Sequence, residues 1–153
     1  MIAVEAKPGE CFRACIAAIL DLNPEWLPEF LAADGVSQTQ AAKAWLSENG
    51  ITLAEWWLKT DTVDDAIFAA TAPNPGVPII LGGRTGDGIG HAVVVLDGLV
   101  ACDPTRAGIA GPLSNGSFRC IVLAIGLAPS RLPPFYGDAF EIMKAAASEG
   151  GGS

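Results

Sequence analysis

Apolar positions run almost without interruption through residues 11–22: Phe12, Ala14, Cys15, Ile16, Ala17, Ala18, Ile19 and Leu20. So few polar positions predict a helix buried on most sides. Pro8-Gly9 breaks the chain before this stretch and Asn23-Pro24 stops it. A second, short helix is expected over 25–33, closed by Asp34-Gly35. A third takes Ser37 as its N-cap, runs to Glu48 and stops at Asn49-Gly50, with Ala41, Ala44, Trp45 and Leu46 as its inner stripe. Residues 51–59 read as a strand, Thr62 caps a short helix through Ala70, and the Pro- and Gly-rich residues 72–76 are a loop.

Beyond that loop the period changes. Residues 77–81, 91–96, 99–103 and 118–126 are β-branched, apolar runs separated by Gly, Asp and Asn turns, the signature of strands. Helices followed by a strand meander predict an α+β fold, with N-terminal helices packed on an antiparallel sheet of about four to five strands. One domain is expected over residues 1–128. An extension over 129–153 would hold a short helix near 139–147 and a frayed Gly-rich tail.

Composition narrows the function. With 153 residues, half of them apolar and 17% charged, the chain is expected to be globular and large enough for one core. A net charge of −8 argues against nucleic acid as a partner, because phosphate binding draws on Lys and Arg. The apolar runs are too short to span a bilayer, so no membrane partner is expected. Residues 1–5 lack the basic flank and apolar core of a secretory signal, so a cytoplasmic location is the expectation. In that setting Cys11, Cys15, Cys102 and Cys120 are expected as free thiols. Oligomeric state is not legible in this pattern.

The chain has one histidine, His91, in Gly90-His91-Ala92-Val93-Val94-Val95, and Asp103-Pro104 follows after one turn of chain. Gly9-Glu10-Cys11 places a cysteine in the first turn of the first helix, where backbone N–H groups and the helix dipole favour thiolate. Cys15 lies a turn deeper in apolar surroundings that favour the neutral thiol, so Cys11 is the better candidate nucleophile. His91 is the only imidazole available as base, and Asp103 is the candidate that orients it. Register decides whether the last two meet. A two-residue loop at Asp97-Gly98 pairs Ala92 with Asp103 and puts His91 on the opposite face. A three-residue loop over 96–98, with Gly98 left-handed in a bulge, sets His91 directly across from Asp103. The three-residue loop is the expectation. Trp26, Trp45, Trp56 and Trp57 are read as core and cleft wall, the last two on opposite strand faces. Arg13 is expected at the surface or paired with Glu10.

Across these segments (Gly9-Glu10-Cys11-Phe12-Arg13-Ala14-Cys15, Gly90-His91-Ala92-Val93-Val94-Val95 and Cys102-Asp103-Pro104) the chain resembles the papain-like cysteine peptidase superfamily, especially its compact bacterial branches. The first segment also looks like small bacterial and phage proteins with a Cys-Phe-Arg-Ala-Cys block. The resemblance implies a papain-like fold and a catalytic triad of Cys11, His91 and Asp103. It further implies hydrolysis or acyl transfer at a peptide or amide bond of a peptide or protein substrate, without a cofactor. A departure stands beside it: many such enzymes carry a glutamine just before the nucleophile as oxyanion donor, and residues 1–10 contain none. Gln38, Gln40 and Asn115 are the substitutes. Two other readings compete, a papain-like binding or accessory module without catalysis and a metal site at Cys11, His91 and Asp103.

Overall fold

The first apolar run forms helix α1 (Cys11–Leu20), in which Cys15, Ile16, Ala17 and Ala18 are fully buried. It ends earlier than its apolar pattern, because Asp21 turns into the left-handed region and its N–H bonds back to the carbonyls of Ala17 and Ala18. The computed structural model describes residues 10–30, 37–86, 90–104, 113 and 116–125. The expected extension over 129–153 lies outside them.

Over its described residues, 25–30, the expected second helix is instead a single 3-10 turn, Pro24–Trp26, after which Leu27 is extended, and residues 31–33 lie outside the described residues. Pro28 supplies the reason, since a proline disfavours helical geometry in the residue before it. Helix α2 (Gln38–Glu48) starts at Ser37 as expected, with a full capping box: the Ser37 hydroxyl accepts from the Gln40 N–H and the Gln40 side chain accepts from the Ser37 N–H. Helix α3 (Val63–Thr71) is capped by the Thr62 hydroxyl, which accepts from the Asp65 N–H at 3.1 Å.

The strands are β1 (Ile51–Thr60), β2 (Ile79–Arg84), β3 (Gly90–Leu96), β4 (Leu99–Cys102) and β5 (Gly116–Ile125). They form one antiparallel sheet in the order β1-β5-β2-β3-β4, so the described fold is α+β with three α-helices on a five-stranded sheet. β2 begins and ends later than its apolar run, carrying the ladder with β3 through Gly82, Gly83 and Arg84.

Helices cover both faces of this sheet, which explains the unbroken Val93-Val94-Val95 run: every residue of it is buried. On one face α1 and α2 pack over Ile80, Ala92, Val94, Cys102 and Ile121. On the other, Ala66, Ile67 and Ala70 of α3 pack over Leu81, Val93, Val95, Phe118 and Cys120. Gly83 packs closely under Phe118: a Cβ there would lie 3.0 Å from the ring and would need the ring to shift.

The hairpin after β3 differs from the expectation. Leu96 pairs with Leu99 across a two-residue turn, with both Asp97 (φ 47°) and Gly98 (φ 85°) left-handed, as a type I′ turn requires. Val95 pairs with Val100, but Val94 pairs with Cys102, so Ala101 is an extra residue in a bulge. The turn is also anchored laterally, the Asp97 carboxylate accepting from the Gly76 N–H at 2.7 Å. Because φ at Gly98 lies where a side chain is strained, Gly98→Ala is expected to cost about 1 kcal/mol in urea denaturation. No loss of stability would mean that the turn relaxes to another register.

Candidate active site

The bulge decides whether the site assembles. Without it, the two-residue turn would set Asp103 across from Ala92, on the wrong face for His91. With one residue inserted, extending the Val94–Cys102 register one step past the end of β4 brings Asp103 toward Val93, which restores the parity of His91 and makes the two diagonal neighbours. The His91 Nε2 lies 2.9 Å from Asp103 Oδ1. The expected contact is therefore present, by a turn and a bulge in place of one longer loop.

The sulfur comes from the other side of β3. Glu10 provides no side-chain cap for α1, and the Cys11 sulfur accepts a hydrogen bond from the Phe12 N–H in the first turn. β4 stops at Cys102, opposite Val94, so the start of β3 runs past its end; there the sulfur accepts the Ala92 N–H and hydrogen-bonds the His91 ring. With Nε2 on the carboxylate, Nδ1 is the ring nitrogen left for the thiol. Cys11, His91 and Asp103 thus form one hydrogen-bonded chain. The imidazole side chain is almost fully buried (2% exposed) and the carboxylate is half open (47%).

Electrostatics separate the cysteines. Burial pushes the Cys11 thiol up, but the hydrogen bonds from His91, Ala92 and Phe12, with the charge on His91, outweigh it and hold the thiol below its ordinary value. His91 is raised by its bond to Cys11 first; burial opposes this, and the charges of Asp103 and Cys11 reinforce it. Both shifts favour thiolate and imidazolium together. Cys15, in the apolar interior, is raised well above the ordinary thiol by burial and then by the charges of Cys11, Cys102 and Asp103. Cys120 is pushed up to about 11 by burial alone. All four cysteines are free thiols.

A cleft of about 700 Å³ opens beside the sulfur, with Cys11 and His91 at one end and Trp57 and Arg119 at the other. One cross-strand row forms its floor: Trp57 of β1 pairs with Arg119 of β5, which pairs with Gly82 of β2, which pairs with Ala92 of β3. The bare Gly82 leaves the space between sulfur and guanidinium open. Of the substitute oxyanion donors, Gln38 lines the cleft; Gln40 is engaged in the α2 capping box, and Asn115 lies outside the described residues. Trp57 is the cleft wall and Trp56 packs in the core beneath α3, as the alternation predicts, whereas Trp26 is exposed. Arg13 does pair with Glu10, at 3.4 Å, and also donates to the Leu27 carbonyl, tying the chain after α1 to the start of that helix. No motif or spacing in the sequence marks Arg119 as a site residue. Its signal was a single charge inside the apolar strand Phe118-Arg119-Cys120-Ile121-Val122.

Among the described residues no group of three or more His, Cys, Asp or Glu side chains is arranged to hold a metal ion. No described helix is long and apolar enough to cross a membrane. No protein-family model, curated protein or solved structure matches the chain.

The paired shifts fix the direction of pH effects. The raised His91 contributes stability that is fully present below its ordinary value of 6.5 and is lost as pH rises through the raised one. The lowered Cys11 contributes stability present above its ordinary 9.0 and lost as pH falls through the lowered one. Iodoacetamide labelling followed by mass spectrometry should modify Cys11 well below pH 8, leave Cys15 and Cys120 unmodified in the native protein, and move to higher pH in His91→Gln. Equal labelling of Cys11 and a free cysteine at pH 6.5 would contradict the lowered Cys11.

Proposed function

We propose that the protein is a papain-like cysteine-nucleophile hydrolase or acyl transferase that acts on peptide or other amide bonds through Cys11, His91 and Asp103. The observation that carries this reading is the thiol–imidazole–carboxylate chain at a helix N-terminus, opening onto a cleft. Nucleophile, base and orienter stand in hydrogen-bonding sequence, which is the arrangement covalent acyl transfer requires.

In this mechanism the Cys11 thiolate attacks the carbonyl carbon and forms a C–S bond. His91, as imidazolium, gives its Nδ1 proton to the leaving amine as the C–N bond breaks, leaving a thioester. Water, or an amine acceptor, then loses a proton to His91 while attacking the thioester, and the thiolate departs. Asp103 holds Nε2 and stabilises the imidazolium throughout. The Cys11 backbone N–H, at the first position of α1, is the oxyanion donor nearest the sulfur, and Gln38, which lines the same cleft, is the side-chain donor proposed beside it.

A peptidyl electrophile such as a vinyl sulfone tests the nucleophile directly. It should label wild type and Cys15→Ala, and fail to label Cys11→Ala. On a peptide that the wild type cleaves, His91→Gln is expected to lower kcat about 10²–10⁴-fold, and Gln38→Ala about 10²–10³-fold. A Cys11 no more reactive than free cysteine would leave only a non-catalytic binding module of the same architecture.

A further inference from the structure

The charge of the cleft is opposite to that of the chain. Acidic residues number 17 against nine basic ones. Yet the described residues lining the cleft include two arginines, Arg84 and Arg119, and no aspartate or glutamate. Arg119 is the better defined. Its Nη1 donates to the Thr39 hydroxyl, and its guanidinium carbon stands 4.9 Å over the Trp57 ring. Glu55 approaches Nε at 3.6 Å, too far for a hydrogen bond, and that buried Nε has no hydrogen-bond partner. The side chain remains 36% exposed. Thr39 is thus its one hydrogen-bond acceptor among the described residues, which leaves much of the guanidinium's donor capacity unused. The residues around it at the start of α2, Ser37, Gln38 and Thr39, add the positive end of a helix dipole.

We propose that Arg119 is a specificity-determining residue that binds a carboxylate of the substrate, so that the preferred substrates are acidic peptides. Arg119 lies two strands from Ala92, whose N–H meets the Cys11 sulfur; at the usual strand spacing this is roughly 10 Å. An extended peptide covers that distance in about three residues. The carboxylate therefore belongs about two to three residues from the scissile carbonyl, with its aliphatic stem against the exposed face of Trp57. This inference rests on the proposed peptidase reading for the position of the scissile bond, but the binding of the carboxylate itself does not need turnover.

The test uses capped octapeptides in which a single glutamate is moved along an otherwise uncharged sequence, each with a glutamine twin. Free and amidated C-termini separate a side-chain carboxylate from a terminal one. Affinities are measured by calorimetry on the full chain carrying Cys11→Ala, which prevents turnover. The glutamate peptide, or the free-terminus peptide, should bind about 10- to 100-fold more tightly than its uncharged twin at one position. That ratio should fall toward one in Arg119→Gln, survive in part in Arg119→Lys, and rise in Glu55→Gln, where the competing carboxylate is removed. A ratio near one at every position in the Cys11→Ala protein, or a ratio untouched by Arg119→Gln, overturns the proposal. If the ratio behaves as expected while wild type neither cleaves these peptides nor reacts with the vinyl sulfone, carboxylate recognition stands and the peptidase reading fails.

Discussion

The seating of α1 against the start of β3 is the constraint on which the site depends. The helix packs into the core with the sheet through small residues, Cys15, Ala17 and Ala18, together with Ile16. Small side chains let the helix axis approach closely, and burial of this face supplies the hydrophobic stabilisation that holds it there. Its first turn is thereby fixed beside Ala92 and His91, past the end of β4. A helix displaced along the sheet by a single turn would bring Cys15, not Cys11, to the imidazole.

Position alone then separates two chemically identical thiols. Desolvation opposes the charge on both, but Cys11 has an imidazole and two backbone N–H donors to offset it, whereas Cys15 has only neighbouring negative groups. The hydrogen-bonded Cys11–His91 pair is correspondingly local. It needs the uncapped helix start, the open edge of β3 and the Ala101 bulge together, and each belongs to a different part of the chain. The bulge is an instance of an irregularity that re-aims a side chain next to a functional group.

The same row of strands joins this pair to the far end of the cleft. Trp57, Arg119, Gly82 and Ala92 are neighbours through backbone pairing, so the sheet register sets the distance between sulfur and guanidinium. A cation on a central strand is unusual because burial disfavours it. Thr39, Trp57 and the more distant Glu55 surround it here, and the missing side chain at Gly82 leaves its approach from the sulfur clear. In a chain of net charge −8, such a basic cleft also concentrates the field where an anionic ligand would enter.

Local chemistry was legible from the residues themselves. The apolar run of α1, the Ser37 and Thr62 caps, the strand at 51–59 and the thiol in a first helical turn are short-range features, set by propensity, capping and periodicity. The same rules failed at residues 25–30, where Pro28 overrode the helical pattern, and at the hairpin, where Asp97-Gly98 made the shorter turn and a bulge at Ala101 restored the pairing parity of His91 and Asp103. Sheet order, the burial of Val93, Val94 and Val95 beneath helices on both faces, and the meeting of Arg119 with Trp57, Thr39 and the cleft depend on residues far apart in the chain. Only tertiary packing could decide them, because one inserted residue in a strand reverses the face of every side chain beyond it, and periodicity carries no record of which strands become neighbours.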